Sequence, residues 1–301
     1  MQIADNNVYN LNIGPTTVNM AINPLGGALA AEVIGVDLAQ DLGDNLAGTL
    51  RRAFLDHSVL VFRDQTLTPD QLLDFSRLFG DPVRRLLEGF RHPENPDIFV
   101  VSNVREDGKP KGAIYAGQYW HSDLSYTAEP ARASMLLALE IPSSGGDTMF
   151  ANMSLAYESL SPPLQDLLQG LCAVHDYSHA YDTVFSKLPG RPPMTEAERA
   201  KVPPVEHPVV RTHPDTGRKA LFVNPGFTSR ILGLTDGESD ALLAFLLEHA
   251  TQPEFVYRHQ WRPRDLVLWD NRCLIHRAVA DYNMDENRHM HRATIAGEAP
   301  A

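Results

Sequence analysis

The pattern His121-Ser122-Asp123, answered far downstream by His276 after Trp269-Asp270-Asn271-Arg272, restricts the folds open to this chain. Two imidazoles and one carboxylate are the facial ligand set of non-haem Fe(II), which leaves coordination positions open. Zn(II) accepts the same side chains. In a strand, residues i and i+2 project from one face. His121 and Asp123 can therefore meet one ion, while His276 has to arrive from another part of a sheet. That requirement favours a β-rich core in which distant segments lie side by side.

Local patterns supply the rest of the framework. Residues 28–38 alternate into a strand ending Val33-Ile34-Gly35-Val36, Leu46 to His57 reads as a helix, and Val59 to Phe62 as a buried strand. Thr68-Pro69-Asp70-Gln71 is a helix start, with a cap, a proline in the first turn and Gln three residues on; that helix covers Leu72 to Leu78 and stops at Gly80. Strands are expected at Ile98–Val101, Ala133–Leu139, Thr148–Ala151, Phe255–Trp261, Asp265–Trp269 and His289–Ala296. Pro214-Asp215-Thr216-Gly217 between Val209–Thr212 and Ala220–Val223 signals a hairpin. Leu155–Leu171 is helical with a break at Ser161-Pro162-Pro163, and Thr235-Asp236-Gly237-Glu238 caps a helix to His249. Residues 104–119 read as a polar loop leading into His121. The proline-rich stretch 178–206 reads as a long irregular insertion with one short helix at Thr195–Ala200. Either segment can serve as a lid. Residues 1–20 are expected to form a flexible extension and 21–301 a single domain.

Composition narrows the function classes. A chain of 301 residues with 43% hydrophobic side chains can bury a sizeable core. Its net charge of -12 and scattered Lys and Arg give no basic footprint for nucleic acid. No stretch approaches the ~18 consecutive apolar residues of a membrane span, and Met1–Met20 lacks the basic start and apolar centre of a signal peptide. Cys172 and Cys273 build neither a zinc site nor a disulfide framework. A cytoplasmic protein with reduced thiols is expected, and a homo-oligomer.

Further motifs accompany the ligand set in order: Gly145-Gly146-Asp147-Thr148, then Trp269-Asp270-Asn271, then Asn287-Arg288-His289-Met290-His291-Arg292. With His207–Pro214, Leu221–Asn224 and Gly226–Ile231, they make the chain resemble the taurine / 2,4-dichlorophenoxyacetate dioxygenases, the TauD/TfdA group of Fe(II)- and 2-oxoglutarate-dependent oxygenases. The likeness runs from about Pro24 to Pro300. It implies an α+β protein with a double-stranded β-helix (jelly roll) core braced by helices. It also implies hydroxylation of a small anionic substrate by O2, with 2-oxoglutarate converted to succinate and CO2.

By that resemblance, His121, Asp123 and His276 hold Fe(II), and Arg288 and Thr148 hold the distal carboxylate of 2-oxoglutarate. Arg288 and Arg292 are four apart in a β-like run, so they share a face, and a guanidinium binds a carboxylate through paired charge-assisted hydrogen bonds. Arg292 then falls nearer the metal, against the 1-carboxylate or an anionic group of the substrate. His289 and His291 alternate to the opposite face. Tyr177 and Phe227 match aromatic positions near the substrate, with core packing the competing role for each; Asn224-Pro225-Gly226-Phe227 reads as an exposed turn. Asn271 and Arg272 are expected to be structural, Asp270 can orient a ligand, and His175, His207 and His213 read as structural histidines.

Three departures from the taurine enzymes bear on the substrate. Arg85 stands near the place of a sulfonate-binding His, Gly117 replaces an Asn four residues before the first ligand, and one extra residue separates His276 from Arg288. These favour a sulfonate, sulfate ester or aryloxyalkanoate over taurine. Two rivals use the same three ligands: a zinc hydrolase, and a non-enzymatic jelly roll that binds a small acid. O2 dependence and succinate release separate them from an oxygenase.

Overall fold

The computed structural model describes residues 7–13, 16–84, 90–187 and 193–301. Alternation along the central strands divides their side chains between two apolar layers. Val59 and Val61, Leu136 and Ala138, and Val267 and Trp269 face one way; Leu60 and Phe62, Met135 and Leu137, and Leu266 and Leu268 face the other. These strands belong to an eight-stranded sheet. Its order is Asn7–Ile13, Thr16–Pro24, Ala31–Ile34, Val59–Phe62, Leu266–Asp270, Ala133–Glu140, His289–Ile295 and Phe99–Ser102.

The second layer packs on the helix Gly43–His57, through Leu46, Leu50, Ala53 and Phe54, and on the helix Pro69–Ser76, through Leu72, Leu73 and Phe75. The latter begins with the expected capping box. Gln71 N donates to Thr68 Oγ1 at 3.2 Å and Thr68 N to Gln71 Oε1 at 2.9 Å. The helix Asp236–Ala250 starts on a matching Thr235–Glu238 box.

The first layer faces a smaller sheet of Val256–His259, Thr148–Asn152 and Leu274–Ala278. Phe150 meets Trp269 across the gap, ring centroids 5.6 Å apart. Trp269 is 2% exposed, and truncating a buried Trp to Ala costs about 3–5 kcal/mol. The architecture is thus mixed α/β, with two sheets enclosing an apolar layer and helices outside.

Several expectations need correction. Residues 7–13 and 16–24 pair antiparallel, and the second of these strands pairs with Ala31–Ile34, so the flexible extension expected over 1–20 is strand where it is described. The loop 104–119 contains a small hairpin, Arg105–Glu106 with Lys109–Pro110. Within the insertion 178–206, the described residues 178–187 and 193–206 carry more regular structure than the prolines suggest. A helix Tyr177–Thr183 starts on Asp176, whose Oδ1 accepts from Ser178 N at 2.7 Å. Tyr177, Ala180, Tyr181, Phe185, Met194 and Val202 form a third apolar cluster with Leu124, Tyr126 and Phe227. Burial against residues distant in sequence holds these described parts of the segment.

Candidate metal centre and substrate cavity

His121 and His276 are brought together by one antiparallel bridge: His121 N donates to His276 O at 3.0 Å, and His276 N to His121 O at 2.8 Å. Their rings lie 4.2 Å apart. Asp123 does not continue a strand, as the i, i+2 pattern suggested. It opens a turn whose next residue, Leu124, has φ +56, and the turn carries the carboxylate back to the imidazoles. Asp123 Oδ1 is 3.5 Å from His121 Nε2, and Oδ2 is 3.8 Å from His276 Nε2. One donor atom from each residue lies within 4.8 Å of the other two, and all three residues are buried.

The donor set fits a metal ion. His121 Nδ1 lies 2.8 Å from the Tyr119 carbonyl. It can only donate there, which leaves the Nε2 lone pair for coordination. Burial alone would raise the Asp123 pKa, but the charges of Arg292 and His276, with the hydrogen bond from His121, hold it well below the usual carboxylate range. The carboxylate is therefore ionised and ready to ligate.

Two residues outside the expected site hold Asp123 in place. Ser134 Oγ–H donates to Asp123 Oδ2 at 2.7 Å. Asn271 Oδ1 accepts from Asp123 N at 3.2 Å, and Asn271 Nδ2 donates to Ser134 Oγ at 3.1 Å. Trp269 Nε1 orients the same amide, at 3.1 Å. Asn271, expected to be structural, is thus a neighbour of the metal centre. Ser134 left one trace in the sequence, a lone hydroxyl in the apolar run Ala133–Leu139. Asp270 does not reach the ligands. It is held by Arg272 Nε at 2.8 Å, Arg272 Nη2 at 2.7 Å and His213 Nε2 at 3.0 Å. A second cluster, His213, Asp270 and Cys273, also lies within 4.8 Å. It makes a poor metal site: Asp270 is already engaged by Arg272 and His213, and burial, with help from Asp270, pushes the Cys273 thiol up to about 12.

The two arginines take different surroundings. Arg292 pairs with Asp123 and lies 5.8 Å from the Trp269 ring. Arg288 is 6% exposed; its backbone N donates to Asn103 Oδ1 at 2.8 Å, and its guanidinium donates to the Gly146 carbonyl, from Nε at 3.3 Å and Nη2 at 3.2 Å, and lies 6.0 Å from the Tyr282 ring. Among the described residues no carboxylate lies within ion-pair distance of it. Burial lowers its pKa, opposed by Tyr282 and Asp147. A buried cation without a counter-ion is costly, so this place suits an incoming anion. Thr148 stands two residues beyond Gly146 and is 4% exposed. His289 and His291 pack ring to ring at 5.2 Å, away from the ligands.

A cavity of about 310 Å³ opens onto His121 and Arg292. Its walls include Tyr119, Tyr126, Tyr177, Tyr181, Phe185 and Phe227. Phe227 was read from sequence as sitting in an exposed turn; it is 3% exposed, and only Pro225 of that turn faces solvent. Asn224 anchors the turn by accepting from Phe227 N at 2.8 Å and donating to Ser125 Oγ at 3.1 Å. A Cβ on Gly226 would come within 2.6 Å of the Tyr119 ring, so only glycine lets the turn approach. Gly117, at φ +73, also lines the cavity, and a side chain there would meet His121 Cε1 at 3.0 Å. Arg85 lies outside the described residues.

The sequence model described as taurine catabolism dioxygenase TauD, TfdA family matches residues 21–294. The chain is 42% identical to the alpha-ketoglutarate-dependent 2,4-dichlorophenoxyacetate dioxygenase of Cupriavidus pinatubonensis, over 94% of this chain and 99% of that one. It is 36% identical to the alpha-ketoglutarate-dependent sulfate ester dioxygenase of Pseudomonas putida, over 95% and 92% of the two chains. The solved structure of AAD-2 in complex with Mn(II) and N-oxalylglycine superposes with a TM-score of 0.78 at 34% identity, covering 93% of this chain and 98% of that one. With a buried His-Asp-His centre built on a strand, a bridge and a turn, this chain belongs to the TauD/TfdA family of dioxygenases.

Proposed function

We propose that this chain hydroxylates a small organic anion with an aryl or bulky alkyl body, of the aryloxyalkanoate, sulfate ester or sulfonate type. It is an Fe(II)/2-oxoglutarate-dependent dioxygenase. The observation that carries the substrate reading is the cavity, polar where His121 and Arg292 meet it and aromatic along its walls. Aromatic rings stack on aryl groups and exclude water, whereas taurine would leave most of that surface unused. Relatives named for 2,4-dichlorophenoxyacetate, sulfate esters and (S)-phenoxypropionate support the same class. We assign the core to the double-stranded β-helix, on the support of the two facing sheets and the solved relative.

When bound, Fe(II) with 2-oxoglutarate and O2 supplies the oxidising chemistry, releasing succinate and CO2. The protein's part is positioning. His121, Asp123 and His276 would hold the ion, and His121 also lines the cavity. Arg288 and the Thr148 hydroxyl take the distal carboxylate of 2-oxoglutarate, which supplies the counter-ion that Arg288 lacks. The complex of AAD-2 with N-oxalylglycine, whose two terminal carboxylates are those of 2-oxoglutarate, supports a co-substrate of this shape. Arg292, which meets the cavity beside Asp123, would take the 1-carboxylate of 2-oxoglutarate or the acidic group of the substrate. Tyr177 and Phe227 stack about its body, and Arg85 is proposed to add a second anion contact. Assembly is proposed to be homo-oligomeric. A cytoplasmic setting is supported by the unpaired Cys172 and Cys273.

The test is a screen of aryloxy acids, sulfate esters and organic sulfonates for substrate-stimulated succinate formation, each beside its neutral ester or amide. Aryl or long-chain anions should stimulate succinate release, and their neutral counterparts should not. Equal stimulation by neutral analogues would refute the anion site.

A further inference from the structure

Thr148 makes one hydrogen bond that its proposed role does not require. The Trp261 indole Nε1–H donates to Thr148 Oγ1 at 3.0 Å, and both residues are buried. An indole only donates, while a hydroxyl has one proton to give and two lone pairs to accept with. The indole occupies one lone pair, so the proton must be given elsewhere. Among the described residues, Thr148 Oγ1 donates to no protein acceptor. A buried, polarised O–H is thus held ready two residues from Gly146, whose carbonyl takes the Arg288 guanidinium.

Trp261 is itself fixed from behind. Its ring meets that of His259 edge-on, centroids 4.5 Å apart at 86°. His259 lies opposite Thr148 in the smaller sheet and is fully buried. Tyr257 Oη lies 3.1 Å from His259 Nδ1, and His259 Nε2 is 3.2 Å from Asp265 Oδ2. A carboxylate can only accept, so Nε2 carries the proton and Nδ1 accepts from the tyrosine. Burial holds the His259 pKa below its ordinary value even though Asp265 opposes the shift, and this keeps the ring in that neutral form. Asp265 is anchored in turn by Arg63 and by Arg262 N at 2.8 Å. The indole has one packed orientation, so the two directions left to the hydroxyl, one for its proton and one for its second lone pair, are fixed in space.

We propose that Trp261 is a positioning residue for the co-substrate: it turns the Thr148 hydroxyl so that its proton, and not a lone pair, faces the carboxylate neutralised by Arg288. The inference rests on the reading of Thr148 and Arg288 as the distal-carboxylate site. Without the indole N–H, the hydroxyl is neither polarised nor held in that orientation, and donating to the carboxylate must then offset the cost of ordering it.

Trp261→Phe removes the donor and keeps an aromatic ring. Benzothienylalanine at position 261 replaces N–H with sulfur at nearly constant shape and guards against misfolding of the Phe variant. Calorimetric titration of 2-oxoglutarate into Mn(II)-loaded protein should show about 3- to 10-fold weaker binding for both, the effect of one lost hydrogen bond. Mn(II) affinity, kcat and the substrate KM should not change. In a Thr148→Val background, Trp261→Phe should add nothing. If Thr148→Val leaves 2-oxoglutarate affinity intact, the reading of the co-substrate site fails and this inference with it. If Thr148→Val weakens binding but the Trp261 replacements do not, or if their effects simply add, the co-substrate site stands and the positioning role is overturned.

Discussion

Arg288→Met is the most revealing single perturbation, because among the described residues this buried guanidinium hydrogen-bonds only to the Gly146 carbonyl. Two effects should separate. Removing the partner of a buried carboxylate costs about 2–5 kcal/mol, which is roughly 30- to several-thousand-fold in affinity for 2-oxoglutarate. The free protein should behave differently. Replacing a poorly compensated buried charge by an apolar side chain of similar length is often neutral or stabilising by about 1–4 kcal/mol. The Gly146 carbonyl left without its donors returns about 1–3 kcal/mol of that. Stability of the free variant should thus stay near or slightly above that of the natural protein. Thermal melts with and without 2-oxoglutarate read both effects. At a concentration one hundred times Kd, the ligand stabilises the natural protein by about 2.7 kcal/mol; if Kd rises a hundredfold, the same concentration supplies about 0.4 kcal/mol. At roughly 2–4 °C per kcal/mol, a shift of about 5–10 °C should shrink to about 1 °C. An unchanged ligand-induced shift would show that the co-substrate carboxylate binds elsewhere. A large loss of stability in the ligand-free variant would show that Arg288 is structural.

Replacing His121, Asp123 or His276 with Ala should abolish Fe(II)-dependent turnover and metal binding while leaving the circular dichroism spectrum largely unchanged; full 2-oxoglutarate consumption by Asp123→Ala would end the ligand assignment. Ser134→Ala and Asn271→Ala free Asp123 without touching the metal, and each should weaken Mn(II) binding about 10- to 100-fold in a direct titration. Stability should fall on acidification through His175 and His291. Burial lowers the first to about 3 and the second to about 4, with His207 and His289 respectively adding to the shift. Both are neutral in the folded chain, and unfolding lets them take up protons below about pH 6.5. Their contribution is therefore whole above that pH and declines as pH falls towards the folded values, by about 1.4 kcal/mol per unit for each. Urea denaturation at pH 6.5 and pH 5 should show the decline, and His175→Gln should flatten it; an identical slope in that variant would refute the assignment to His175.

The sequence by itself determined those features whose cause is local. The Thr68–Gln71 and Thr235–Glu238 boxes start helices because their hydrogen bonds close within four residues. The unbroken apolar run Val59–Phe62, and Ala133–Leu139 with Ser134 its one polar residue, committed them to a sheet buried on both faces. Side-chain chemistry made His121, Asp123, His276, Arg288 and Arg292 recognisable before any geometry was known. Only the tertiary structure decided how those groups are held. The turn at Asp123, its support by Ser134 and Asn271, and the indole behind Thr148 join residues far apart in the chain, and such contacts leave no periodic trace. The cavity shows the same limit. Its aromatic walls come from the segments around Tyr119, Tyr177 and Phe227, and the helix Tyr177–Thr183 lies in a stretch whose prolines argued for a loop. Burial of one apolar surface against another stabilises that arrangement. Because that free energy depends on which surfaces meet and not on their order along the chain, it was settled only on folding.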